Sequence, residues 1–306
     1  MATRRSDEST TLAAVSAIST CAGILLIRLR RDSHSVRIRK FGRVTTRTIM
    51  LKKRKRNPNR PLIIENDQVV SLYFDARGVQ STMLRRDPFA LALGYTRTMM
   101  GFLLFRPFPR RISMIGLGGG SLAKYCYRHL PDTTIAAVEI NPDVIALRDR
   151  FHVPRDDGRF TVVCADGAQY VNVPGHRPDV LLVDGFSADG LPARLGSDAF
   201  YEACRRRLSE DGVLVANLVT DEPDFHRYLR SLREVFAGAV ALAPSEGSPH
   251  NVTVFAWKGT GGLPSHTAML DRACALQARH AVNLHATATR IEYGKGLNWD
   301  RRGQAG

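Results

Sequence analysis

Residues 112–141 constrain the fold more than any other stretch of the chain. An apolar run at 112–115 breaks on Gly116-Leu117-Gly118-Gly119-Gly120-Ser121. It re-enters a helical pattern to 129 and returns as Ala136-Ala137-Val138-Glu139 before Ile140-Asn141. A strand that turns on glycines into a helix brings bare backbone up to whatever binds there, because glycine leaves room and tolerates left-handed torsion angles. Glu139, nineteen residues past Gly120 at the end of the next strand, is placed to accept both hydroxyls of a ribose. The unit predicts a nucleoside-containing ligand.

The alternation continues. Strand patterns read at 112–115, 135–139, 161–164, 180–184, 213–217, 239–242 and 252–257, and helical patterns at 121–129, 142–151, 168–172, 198–208 and 224–236. This predicts an α/β fold with a doubly wound, mostly parallel seven-stranded sheet. Ahead of it, residues 68–74 and 79–83 flank Asp75-Ala76-Arg77-Gly78 and read as an N-terminal β-hairpin. Asp87-Pro88 opens a helix expected to reach 105, where Pro107 and Pro109 stop it. The link at 259–264 leads to a last helix at 265–280. The chain thus divides into a leader (1–60), a hairpin and helix (61–110), a nucleoside-binding Rossmann-like domain (111–258) and a C-terminal helix and tail (259–306).

Charge separates the leader from the rest. Residues 1–60 carry 16 Lys/Arg against 3 Asp/Glu, whereas residues 61–306 carry 28 against 26. The run Lys52-Lys53-Arg54-Lys55-Arg56 reads as a solvated, disordered segment. It is suited to phosphates of a nucleic acid or an anionic membrane, but holds nothing that reads a base sequence. Residues 11–29 are apolar enough, between flanking arginines, to offer a short signal anchor. Met50 offers an alternative start just ahead of the body. The five cysteines are dispersed and odd in number, with no CxxC spacing, and none of the nine histidines forms HxxxH or HExxH. That argues against a disulfide framework or a metal site and for a reducing, cytoplasmic compartment.

Ligands of open α/β sheets bind outside the carboxyl ends of the strands. Four consecutive strands here end in glycine or acid: Gly116–Gly120, then Glu139, then Asp166-Gly167-Ala168, then Asp184-Gly185. Acids at strand ends also cap the helices that follow, a reading that suits Asp166. A nicotinamide dinucleotide fits less well. Ser121 stands where the GxGxxG fingerprint needs a small apolar residue, and the third-strand Asp-Gly suits an adenine amino group. A sulfonium nucleoside of the S-adenosylmethionine type fits better.

Over residues 72–256 the chain resembles the spermidine synthase family, aminopropyltransferases on the class I methyltransferase scaffold. The resemblance is carried by the hairpin with Gln80, Arg86-Asp87-Pro88-Phe89, Gly116–Gly120, Val138-Glu139-Ile140, Ala165-Asp166-Gly167-Ala168 and the 179–184 strand. Leu195-Gly196-Ser197-Asp198-Ala199-Phe200-Tyr201 and Leu208-Ser209-Glu210-Asp211-Gly212-Val213 extend it. The resemblance implies decarboxylated S-adenosylmethionine as co-substrate, without a metal. Gly116, Gly118 and Gly120 would line the nucleoside, Glu139 would hold the ribose and Asp166 with Gly167 the adenine. Gln80 would approach the sulfonium, and Asp184 would sit at the reacting centre, where an amine nitrogen attacks the carbon beside the sulfur. It also implies a small amine acceptor and a homo-oligomer.

Three features depart from the family pattern. Ser121 replaces an aspartate after the glycine run, Ser187 replaces the second acid, and Leu91-Ala92 stands for a tyrosine–glutamine pair in the first helix. These departures leave the nucleoside half intact and the amine half rebuilt, with Asp189 as a substitute acid. Methyl transfer from S-adenosylmethionine, and nucleoside binding without catalysis, are the alternatives.

Overall fold

The computed structural model describes residues 59–75, 78–248, 250–260, 262–297 and 299, together with four backbone segments in the leader. Those segments, Ser16–Thr20, Gly23–Arg28, Ser35–Arg39 and Ile49–Met50, are short strands of one antiparallel sheet. Within the anchor expected at 11–29, the described residues 16–20 and 23–28 are strands of that sheet; the rest of 11–29 and the basic run at 52–56 lie outside the described residues. Among the described residues no helix is long and apolar enough to cross a membrane. Residues 1–57 and 58–306 form separate compact units.

The larger unit begins with three antiparallel strands, β1 (Leu62–Glu65), β2 (Val69–Tyr73) and β3 (Val79–Leu84). The expected hairpin is β2–β3; β1 extends it, with Ile63 opposite Leu72. Then come α1 (Gly94–Met99), β4 (Arg111–Ile115), α2 (Ser121–His129), β5 (Thr134–Glu139), α3 (Pro142–Ile145), β6 (Phe160–Cys164) and α4 (Gly167–Tyr170). The rest of the fold is β7 (Val180–Val183), α5 (Asp198–Arg207), β8 (Val213–Val219), α6 (Phe225–Val235), β9 (Val240–Pro244), β10 (Asn251–Trp257), α7 (His266–Leu276) and α8 (Leu284–Gly296).

The main sheet has the order β6-β5-β4-β7-β8-β10-β9. The first five strands run parallel and β10 is antiparallel to both its neighbours. Successive strand residues face opposite sides, and the side chains divide accordingly. Ile112, Met114, Val180, Leu182, Val213 and Val215 join the core under α2, α7 and α8. Leu181, Val183, Leu214, Ala216 and Leu218 join the core under α5 and α6. The chain order reverses between β4 and β7, which opens a crevice at their carboxyl ends.

Some expected boundaries are corrected. The helix expected from Asp87 starts only at Gly94. Asp87 accepts the Phe89 N–H instead, and Arg97 bonds the carbonyls of Leu91 and Ala92. Burial of Leu91 and a close approach of the chain to the β9–β10 turn favour an irregular entry over another helical turn. A Cβ at Gly94 would lie 1.6 Å from the Glu246 carbonyl oxygen. The rest of that segment is a tight 3-10 turn, Met100–Leu104, with every residue buried. The helix expected at 142–151 breaks into α3 and a 3-10 turn at Asp149–Phe151. Helix α8 was not expected from the sequence.

Lys124 on α2 is fully buried, and its ammonium donates to the Phe151 carbonyl at 2.7 Å. Burial lowers its pKa from 10.5 to about 8, with the charge of Asp87 opposing. Between pH 8 and 10.5 the unfolded chain therefore binds the extra proton, and this group's contribution to stability rises with pH. Lys124→Met is expected to gain stability relative to the parent at pH 7, and to lose that advantage by about 3 kcal/mol at most as pH rises to 10.5. Denaturant unfolding of both proteins across that range measures the difference.

Candidate active site

The parallel register aligns the strand ends. Ile115 pairs with Val138 and Val183, and Cys164 with Glu139. The acids that follow therefore stand side by side along one edge. Gly116 has a φ of +96°, and a Cβ there would lie 2.3 Å from the Asp184 carbonyl oxygen, so the position requires glycine twice over. Gly118 and Gly120 also have positive φ, and Gly120 is the N-cap of α2.

Asp184 is the centre of the arrangement. Its N–H donates to the Ile115 carbonyl at 2.9 Å. One carboxylate oxygen accepts from the Tyr95 hydroxyl at 3.0 Å and the other from the Asn217 amide at 2.9 Å. Burial pushes the Asp184 pKa up, and the two hydrogen bonds hold it back in part. Burial and the Asp184 charge drive the Tyr95 pKa well above the ordinary tyrosine range, so Tyr95 remains a donor. The Tyr95 hydroxyl also lies 3.4 Å from the Gln80 backbone carbonyl, which brings β3 to the same point. Ser81, buried, meets Ser121 at the start of α2 at 3.2 Å between hydroxyls.

Glu139 is buried and both its oxygens accept backbone N–H groups, from Leu117 at 3.0 Å and Asn141 at 2.9 Å. It braces the glycine loop, and each oxygen retains a second lone pair for a ribose hydroxyl. Asp166 caps α4 through the Ala168 N–H at 2.8 Å, and its other oxygen is ion-paired with Arg194. Gly167, buried, packs on Ile115. The capping and ligand-binding readings of Asp166 thus apply to different lone pairs.

Three side chains were missed in the sequence: Asn217, at the end of a strand read only for its apolar pattern, and two more. Tyr95 supplies a tyrosine to the centre although Leu91-Ala92 stands at the expected pair; it is the one tyrosine of residues 87–105, which is a signal the sequence did contain. Glu222 comes from the loop after β8 and accepts the Leu191 N–H at 2.9 Å, beside the 185–191 loop. Burial raises its pKa, and Asp224 adds to the effect. Ser187 closes a turn on Gly190, donating its N–H and hydroxyl to the Gly190 carbonyl at 2.9 and 3.0 Å. It also accepts the N–H of Asp189, which is exposed.

The family model of the spermine/spermidine synthase domain matches residues 92–258. A polyamine aminopropyltransferase from Neisseria meningitidis serogroup A is 38% identical over 225 residues, covering 73% of this chain and 85% of that protein. A solved spermidine synthase in complex with the transition-state analogue AdoDATO aligns with a TM-score of 0.58 at 19% identity, covering 94% of each chain. Human methyltransferase-like protein 13, solved with SAH, aligns with a TM-score of 0.54 at 23% identity, covering 69% of this chain and 95% of that one. The two structures share the methyltransferase-like fold with this chain.

Glu139→Ala is expected to lower unfolding stability by about 2 kcal/mol without any ligand, since it orphans the Leu117 N–H. Urea unfolding of the two proteins checks this. Unchanged stability would reduce Glu139 to a ligand contact alone.

Proposed function

The chain belongs to the spermine/spermidine synthase family, and from that premise we propose how its strand-end acids carry out aminopropyl transfer from decarboxylated S-adenosylmethionine to a small amine. Residues 111–258 hold the nucleoside. Glu139 takes the ribose hydroxyls through its remaining lone pairs, and the Asp166–Gly167 corner takes the adenine. The glycine loop from Gly116 through Gly118 to Gly120 supplies a surface that the chain from ribose to sulfur can cross. Gln80 and Tyr95 stand with Asp184 on the sulfonium side.

The single observation that carries this reading is the half-buried Asp184 carboxylate, held between two neutral donors. An ammonium has no lone pair and cannot attack. When the free amine forms its new C–N bond, the C–S bond breaks and its electron pair returns to the sulfur, releasing 5′-methylthioadenosine. The extra proton on nitrogen passes to Asp184, whose raised pKa makes it a better acceptor than an exposed aspartate. Because the sulfonium is already a good leaving group, most of the work is positioning. Glu222, beside the 187–190 turn, and Asp189, within it, are the acids assigned to a cationic end of the acceptor. The names of the relatives favour this reaction over methyl transfer.

Asp184→Asn is expected to lower kcat on the order of 100-fold or more while 5′-methylthioadenosine binds within about threefold of the parent. Chromatographic release of methylthioadenosine and titration calorimetry measure the two quantities. Parental turnover in Asp184→Asn would remove the carboxylate from its assigned role.

A further inference from the structure

The donor that Asn217 offers to Asp184 has a history further along the sheet. Val219 pairs with Asn251 and Asn217 with Thr253, so Asn217 and Asn251 are diagonal neighbours on one face of the antiparallel β8–β10 pair. Asn251 donates its amide to the Asn217 carbonyl oxygen at 3.0 Å. Ser248, in the β9–β10 turn, donates its hydroxyl to the Asn251 carbonyl oxygen at 2.6 Å. Each bond fixes the next. The serine proton sets which way Asn251 faces, which sets Asn217, which leaves only an N–H for Asp184.

The turn that starts this row is itself fastened to α1. The Glu246 N–H donates to the Thr98 hydroxyl at 3.0 Å, and the Glu246 carboxylate pairs with Arg97 at 2.9 Å. Helix α1 carries Tyr95, the other donor to Asp184. The two arms that grip the carboxylate therefore meet behind it, through one turn.

We propose that Ser248 and Asn251 are positioning residues for the transfer reaction: with Asn217 they form an oriented amide row that fixes the Asp184 carboxylate for proton acceptance from the attacking amine. This rests on the role assigned to Asp184 above. The row is neutral throughout. Of the titratable groups, Tyr95 on α1 faces Asp184, while β4 presents backbone and β8 the Asn217 amide. The charged groups at the far end of the turn, Asp221 and His250, pair with each other.

The test uses the full-length chain with decarboxylated S-adenosylmethionine and 1,4-diaminobutane, and the variants Ser248→Ala, Asn251→Leu, Asn217→Leu and the Asn217→Leu/Asn251→Leu pair. Asn251→Leu is expected to lower kcat on the order of tenfold or more, with 5′-methylthioadenosine affinity within about twofold of the parent. The paired variant is expected to be no slower than Asn217→Leu alone, because one row is lost in both. Carbon-13 labelling of aspartate carboxyls reads the Asp184 titration directly, and it is expected to move to higher pH in Asn217→Leu and, less far, in Asn251→Leu and Ser248→Ala. An Asp184 titration that stays in place in Asn251→Leu and Ser248→Ala, or kcat losses that multiply in the paired variant, would overturn the proposal. If the parent transfers no aminopropyl group, the transferase reading fails on its own, and the carboxyl titration still decides the row.

Discussion

In the mechanism proposed above, a half-buried carboxylate that accepts a proton needs donors that cannot themselves carry charge. At Asp184 these are a phenol too deeply placed to ionise and a carboxamide. They hold the group ionised and oriented without neutralising it, as a lysine or arginine would. Much of the surrounding fold serves this one contact. The bare Gly116 lets β4 lie directly against the Asp184 backbone, α1 starts late, at Gly94, and carries Tyr95 to the carboxylate, and β8 runs three residues past its last pair with β7, so that Asn217 stands alongside.

The parts legible in the sequence were those governed by local chemistry. The glycine run, the strand-end acids and the strand–helix rhythm each depend on neighbours within about thirty residues. Seven strands, their doubly wound arrangement and the family itself followed from them. Contacts made across the fold were harder to see. Tyr95 lay in a segment whose Asp87-Pro88 start suggested a helix seven residues too early, so its direction was lost. Glu222 sits in a loop with no pattern of its own, and it matters only because the 185–191 loop folds back on it. The last helix, α8, buries one stripe, Leu284, Thr287, Ala288, Ile291 and Gly294, that mixes apolar with polar and small residues, while Tyr293 stands exposed, so its amphipathic signal in the sequence is weak.

The serines that replace family acids turn out to have work within the structure. Ser121 meets Ser81 and ties the N-terminal sheet to the first turn of α2, while Ser187 closes its own loop. Neither needs a counter-ion, so the surroundings of Asp184 carry less negative charge than the family pattern would provide.

Glu139 has a consequence for the energetics of binding. Glu139 ties the glycine loop through the Leu117 amide to its own strand end, where it also holds the Asn141 amide, so under the function proposed above the loop gives up little freedom when a nucleoside settles on it. Under that proposal the cradle is preformed, and a spent nucleoside departs without the backbone having to unwind behind it.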